Sequence, residues 1–227
     1  EWGMVTGTTY YDARYETALN QYEINVYDWD GTLLQSNMVN YGEWPMYYNS
    51  DPWREADAQY TYTFTGWSPQ LDWVSGHQSY YAQYTSTLNQ YEINFYDWDG
   101  TLLQSTMVNY GEWPTYYNSD PWREADAQYT YTFTGWSPEL SMVTGTTYYY
   151  AQYETTLNQY EINFYDWDGT LLHSAWHYYG DYPNYGGPAL WREADAQYTY
   201  TFTGWSPQLD MVTGHQSYYA QYEETLN

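Results

Sequence analysis

The chain contains no cysteine and no lysine, and its basic side chains other than four histidines are Arg14, Arg54, Arg123 and Arg192. Without thiols it forms no disulfide, thiolate nucleophile or Cys-ligated zinc site, and cysteine usage says nothing about its redox compartment. Without lysine it has no Schiff-base chemistry and no lysine-derived crosslinks. Positive charge is scarce throughout: 29 Asp and Glu against 4 arginines leave a formal net charge of -25 on 227 residues. Such a surface repels phosphate backbones and anionic headgroups, which excludes nucleic acid as a partner. No stretch approaches the roughly 18 consecutive apolar residues of a membrane-crossing helix, so no membrane insertion is expected. The chain starts at Glu1 with neither a methionine nor a signal-like apolar stretch, and it reads as a processed or excerpted segment.

Aromatic side chains fill the space these absences leave. There are 14 Trp, 35 Tyr and 5 Phe, 24% of the chain. Aromatics must therefore build the core, and this much apolar area separates the sequence from acidic disordered tails. The chain is expected to fold.

Self-similarity organises it. Tyr22-Glu23-Ile24-Asn25 recurs at Tyr91-Glu92-Ile93-Asn94 and at Tyr160-Glu161-Ile162-Asn163, a period of 69 with no insertion or deletion. Asp28-Trp29-Asp30-Gly31-Thr32 and Gly66-Trp67-Ser68-Pro69 recur at the same offset. The first two copies differ at 12 of 69 positions, whereas the third departs mainly over residues 173–190, which are rich in Gly, Pro and Tyr. Three periods run over 21–89, 90–158 and 159–227, and residues 1–20 repeat the end of a period, as Met4-Val5-Thr6-Gly7 against Met142-Val143-Thr144-Gly145 shows. Two readings of that extra tail stand: a window on a longer array, or a spare strand that pairs with a neighbouring subunit at a sheet edge.

Within a repeat the apolar spacing is two. Tyr60, Tyr62 and Phe64 share one face and Thr61, Thr63 and Thr65 the other, which predicts a strand. Tyr22, Ile24 and Val26 alternate with Glu23, Asn25 and Tyr27. Asp28-Trp29-Asp30-Gly31 then supplies turn chemistry before Thr32-Leu33-Leu34-Gln35-Ser36, which predicts a hairpin. Residues 51–59 begin with an N-capping Asp and a Pro at the first helical position, which predicts at most two helical turns. Residues 79–88 form a further strand with Tyr80, Ala82 and Tyr84 on one side, separated from the next repeat's Tyr91 strand by Asn89 and Gln90. The expected class is mainly β, α+β at most, with tandem modules joined too tightly for flexible linkers and hence a rigid rod.

The motifs Asp30-Gly31-Thr32, Val39-Asn40-Tyr41-Gly42, Pro52-Trp53-Arg54-Glu55 and Tyr62-Thr63-Phe64-Thr65-Gly66-Trp67 resemble the Listeria-Bacteroides repeat, or internalin B-repeat, of bacterial surface proteins. The match spans nearly the whole period. The resemblance implies a small β-grasp-like module and an extracellular, cell-surface or adhesin role.

Candidate chemistry is sparse. Asp28 and Asp30, with Asp97 and Asp99 and with Asp166 and Asp168, place alternate carboxylates before a glycine as a calcium loop does. Counted from Asp28, however, the sixth and twelfth positions hold Leu33 and Val39 instead of Gly and Glu, so an Asp-Gly turn is the expected reading and no metal is assigned. Arg54, Arg123 and Arg192 are expected in an ion pair or over an aromatic face. His173 and His177, four apart, would suit one metal only on a helix, and the surrounding glycines and prolines predict a surface loop. No nucleophile elbow or recurring Ser-His pairing appears, and acidic pairs such as Glu55 and Asp57 in triplicate fit no glycosidase, so no catalytic residue and no cofactor are assigned.

The surplus rings remain. Tyr80 and Tyr84 point one way and Tyr81 the other; Tyr22 points one way, Tyr27 and Trp29 the other. A module this small has no second core, so Tyr27, Trp29, Tyr81, Tyr96, Trp98, Tyr150, Tyr165 and Trp167 are candidates for contact with other copies of the chain or with the flat faces of sugar rings. No Asn-x-Ser/Thr sequon occurs, so attached glycans would be O-linked. The expected function is an extracellular structural repeat protein, a subunit of a filament or surface stalk that pairs with itself. The alternative is a carbohydrate-binding or adhesin module.

Overall fold

A computed structural model describes residues 7, 8 and 10–227. Twelve strands and no helix make up the described chain, arranged as three four-stranded sheets, one within each period. By compactness the chain divides into two units, residues 1–91 with 109–111, and residues 92–108 with 112–227.

The first sheet shows how the pattern folds. The period-two segments become β1 (Gln21–Tyr27), β2 (Leu33–Asn40), β3 (Tyr60–Ser68) and β4 (Gln78–Leu88), in the spatial order β2-β1-β4-β3. The β1–β2 hairpin closes through Asp28, whose N–H donates to Thr32 O at 2.8 Å, and through Gly31, which takes the left-handed φ of 87° that the turn requires. The β3–β4 pair is antiparallel over eight residue pairs and carries a bulge between Phe64 and Gly66. Between the two hairpins β1 and β4 run parallel, and that register is short: Ile24 opposite Gln78, Asn25 opposite Ser79, Val26 opposite Tyr80 and Tyr27 opposite Tyr81.

This register sorts the faces. Ile24, Val26, Tyr80 and Ala82 are buried. Val74 and Leu71, from the connection between β3 and β4, pack over that face with Tyr22, Val39 and Trp67. Residues 42 and 43 of the β2–β3 crossing are tied to the same cover, with Gly42 N–H donating to Val74 O at 2.8 Å and Val74 N–H to Glu43 O at 2.9 Å. The opposite face is more open; Tyr81 is 46% exposed on it.

In the second unit the pattern recurs twice. β5 (Gln90–Tyr96), β6 (Leu102–Asn109), β7 (Tyr129–Ser137) and β8 (Thr147–Leu157) form one sheet, and β9 (Gln159–Tyr165), β10 (Leu171–Tyr178), β11 (Tyr198–Ser206) and β12 (Gln216–Leu226) the other. Phenylalanine replaces Val26 here: Phe95 lies 4.7 Å from the Trp136 ring and 5.3 Å from Tyr149, and Phe164 stands 4.7 Å from Trp205 and 5.4 Å from Tyr218. The core of each module is thus a cluster of rings closed by Ile and Val. Within this unit Asn158 ties adjacent sheets together. Its Nδ2 donates to Asp126 O at 2.7 Å, its Oδ1 accepts from the Thr130 hydroxyl at 2.8 Å, and its carbonyl accepts Tyr179 N–H at 2.9 Å. Beside it the Tyr160 hydroxyl donates to Ala127 O at 2.6 Å.

Two expectations change. Residues 51–57 are irregular instead of helical. Asp57 turns its carboxylate to the N–H groups of Gln59 and Tyr60, at 2.8 and 2.7 Å, which steers the chain directly into β3, and a segment this short cannot offset helix nucleation. His173 and His177 lie on β10 rather than on a loop, four residues apart along a strand. Of the tail, residues 1–6 and 9 fall outside the described residues; residues 10–20 are exposed and belong to no strand.

Candidate functional site

Each module carries the same arrangement of polar and aromatic groups around one arginine. Arg54 leaves the irregular crossing and lays its guanidinium over two rings, 4.0 Å from the Trp29 centroid and 3.5 Å from Tyr62. Arg123 does so with Trp98 and Tyr131, at 3.9 and 3.6 Å, and Arg192 with Trp167 and Tyr200, at 3.9 and 3.5 Å. The guanidinium is planar and weakly hydrated, so it takes an aromatic face at small desolvation cost. The tyrosine of each set donates its hydroxyl to an aspartate: Tyr62 to Asp57 at 2.7 Å, Tyr131 to Asp126 at 2.6 Å and Tyr200 to Asp195 at 2.6 Å. That hydroxyl, with help from backbone N–H groups and the nearby arginine, holds each of these carboxyls below the ordinary carboxylate range.

The turn aspartates are bound by their own neighbours. Asp28 Oδ1 accepts Trp29 N–H at 2.8 Å and also the Tyr84 hydroxyl at 2.9 Å, across 56 residues. Asp97 takes the hydroxyl of Tyr153 and Asp166 that of Tyr222. Desolvation, then the hydrogen bond to the carboxylate, raises these three tyrosines above their ordinary value, Tyr222 to about 12. Asp30, Asp99 and Asp168 accept the N–H of Thr32, Thr101 and Thr170, which lowers their pKa. These six carboxylates therefore serve the Asp-Gly turn. Among the described residues no group of three or more His, Asp or Glu is placed to hold a metal ion.

The predicted contact residues fall into two sets. Trp29, Trp98 and Trp167 are half exposed, each beside its arginine. Tyr27 and Tyr81 stack on the face away from the core with centroids 5.2 Å apart and planes 17° from parallel, and Tyr96 with Tyr150, and Tyr165 with Tyr219, repeat the stack at 5.4 and 5.2 Å. In the third module Trp167, Arg192, Tyr219, Gln221 and Tyr222 line a shallow cleft of about 280 Å³. The sequence left each arginine either an ion pair or an aromatic face and named no ring, and the Tyr84–Asp28 bond has no local signature. His77 and His215 also went unsignalled: their Nδ1 atoms accept Glu23 N–H and Glu161 N–H, at 2.9 and 3.0 Å, and their rings meet Tyr22 and Tyr160 edge-on.

Sheet topology, repetition and exposed rings define a tandem β-repeat protein. No protein-family model matches the chain, and no curated protein matches it. Among solved structures it aligns with domains 3–4 of the Streptococcal High Identity Repeats in Tandem of a cell surface protein, at 13% identity and a TM-score of 0.32, covering 60% of this chain and 99% of that one.

Proposed function

We propose that the chain is an extracellular structural repeat protein, a subunit of a filament or cell-surface stalk that assembles with further copies through aromatic and strand-edge contacts. The observation that carries the reading is the triplicate set of surface rings, half-exposed Trp29 and Tyr81 with the partly buried Tyr27 stacked on Tyr81, and their equivalents, outside the core of each module. The arginine contact and the tyrosine stack leave about half of each tryptophan and of Tyr81 open to solvent, and large rigid rings are efficient contact groups. Each sheet also ends in edge strands, β2 and β3 in the first, which suit strand addition by a neighbouring copy or by the residues of the tail. The β2-β1-β4-β3 order with a parallel central pair supports a β-grasp-like reading of the module, its helix replaced by an irregular crossing. Extracellular placement rests on the resemblance of Asp30-Gly31-Thr32 and the other quoted motifs to internalin repeats.

The test is a concentration series of the purified chain by sedimentation and electron microscopy. Particles that grow with concentration, and shrink when Trp29, Trp98 and Trp167 are changed together to Ser, are expected. A compact monomer at every concentration would overturn the proposal. One observation favours the carbohydrate-binding alternative: the Trp167 cleft sets polar Arg192 and Gln221 beside an open ring. Glycan-array binding lost on Trp167→Ser, with sedimentation unchanged, selects that reading.

A further inference from the structure

We infer that each module contains a built-in dityrosine site, in which Tyr27 and Tyr81, Tyr96 and Tyr150, and Tyr165 and Tyr219 are joined carbon to carbon by one-electron oxidation. Three observations converge on these pairs. Their members are direct partners in the parallel register of β1 with β4, β5 with β8 and β12 with β9, so the backbone holds them side by side. The rings are stacked at 5.2, 5.4 and 5.2 Å with planes within 20° of parallel, where two radicals formed in one pair meet without diffusion. The second member of each pair is 45–46% exposed, on the sheet face away from the module's core, which leaves it open to an oxidant.

The contrast with other tyrosines sharpens the assignment. Tyr84, Tyr153 and Tyr222 are partly buried and commit their hydroxyls to Asp28, Asp97 and Asp166. Tyr48, Tyr117 and Tyr182 are more exposed than Tyr81 but stack on no second tyrosine among the described residues. Among those residues the hydroxyls of Tyr27 and Tyr81 donate to no protein acceptor, so a phenol proton leaves directly to water.

The chemistry balances with hydrogen peroxide as oxidant and a haem peroxidase as the one-electron relay. Each phenol loses one electron and its hydroxyl proton to become a phenoxyl radical. The two radicals form one bond between ring carbons ortho to oxygen, and the hydrogen on each of those carbons moves to its oxygen and restores the phenol. Peroxide takes the two electrons and two protons and leaves as two waters, so the protein loses two hydrogens per link. The position gives the link a mechanical consequence. The parallel register holds only four residue pairs, against eight in the neighbouring β3–β4 pairing, and it is where the two hairpins of a module part. A covalent bond at its end staples them, in a chain that has neither cysteine nor lysine for any other crosslink.

The test treats the dilute full chain with a haem peroxidase and limiting peroxide, then maps links by acid-specific proteolysis and mass spectrometry. Expected are dityrosine fluorescence in a band that remains monomeric on a denaturing gel, peptide pairs containing Tyr27–Tyr81, Tyr96–Tyr150 and Tyr165–Tyr219 lighter by two hydrogens, and a raised melting temperature. Changing Tyr27, Tyr96 and Tyr165 together to Phe should reduce the fluorescence several-fold, whereas the same change at Tyr48, Tyr117 and Tyr182 should leave it. Links in the unaltered chain that follow exposure, at Tyr48, Tyr117 or between molecules, would overturn the inference whether or not the variants fold.

Discussion

Arg54, Arg123 and Arg192 are the only cations of the three repeats besides histidine, and each is spent on two rings. Replacing Arg123 with Met keeps the length of the stem but removes the charge over Trp98 and Tyr131. It should destabilise the second unit by about 1 kcal/mol, the size of a partly exposed cation–π contact, measured by urea unfolding. The hydroxyls below the guanidiniums set the response to pH. Asp57, Asp126 and Asp195 have carboxyl pKa values depressed in the fold, so their contribution is present above the unfolded carboxylate value and is lost as pH falls through the lower folded one. Tyr222 works in the opposite sense: its pKa is raised from 10.0 to about 12, so its contribution is complete below the unfolded value and is lost as pH climbs toward the folded one. Phenolate absorbance should show Tyr84, Tyr153 and Tyr222 ionising after the exposed tyrosines, together with unfolding, and Tyr222→Phe should remove its share of that late step.

At the scale of elements, the ring at the centre of each later sheet carries the packing. Phe164 is fully buried against Tyr218, Trp205 and Tyr185, and Phe164→Ala should cost about 3–5 kcal/mol, read as a lowered urea midpoint. That such a core exists was legible. Strict alternation in Tyr60 to Thr65 marks β3, and Asp-Gly marks the β1–β2 turn, because both signals are local and strands and turns are read from neighbours in sequence. The failures are local signals outbid by distant ones. The capped, alanine-containing stretch after Asp51 resembled a helix start, but Arg54 is drawn to Trp29, 25 residues back, and Asp57 to Tyr62. Glycine and proline suggested a loop at His173 and His177, but pairing with β9, Phe164 and Tyr160 being their partners, keeps both in a strand. Parallel pairing of β1 with β4 was invisible for the same reason: Tyr27 and Tyr81 are 54 residues apart, and nothing near either names the other. The exposed set was readable as a surplus of rings, its grouping into stacked pairs and arginine-backed tryptophans was not.

For the whole molecule, the charge and the rings oppose each other. A net charge of -25 drives copies apart at neutral pH, while exposed Trp and Tyr gain by contact. Salt weakens only the first, since at about 0.15 M the screening length falls to about 8 Å. Association through the rings should therefore increase with ionic strength, the reverse of binding driven by opposite charges. Acid acts in the same direction, because the exposed carboxylates titrate and the net charge approaches zero near the pI of 4.1. Among the turn and crossing aspartates, Asp30, Asp57 and their equivalents hold depressed pKa values and stay ionised below the ordinary carboxylate range. Self-repulsion thus fades before the bonds that maintain each module are lost, which leaves an interval just above the pI where folded chains associate most. Light scattering should rise through that interval while near-ultraviolet circular dichroism keeps its folded signal, and the rise should be smaller when Trp29, Trp98 and Trp167 are changed to Ser. Scattering that increases only after the dichroism collapses would mean that unfolded chains, not modules, are sticking together.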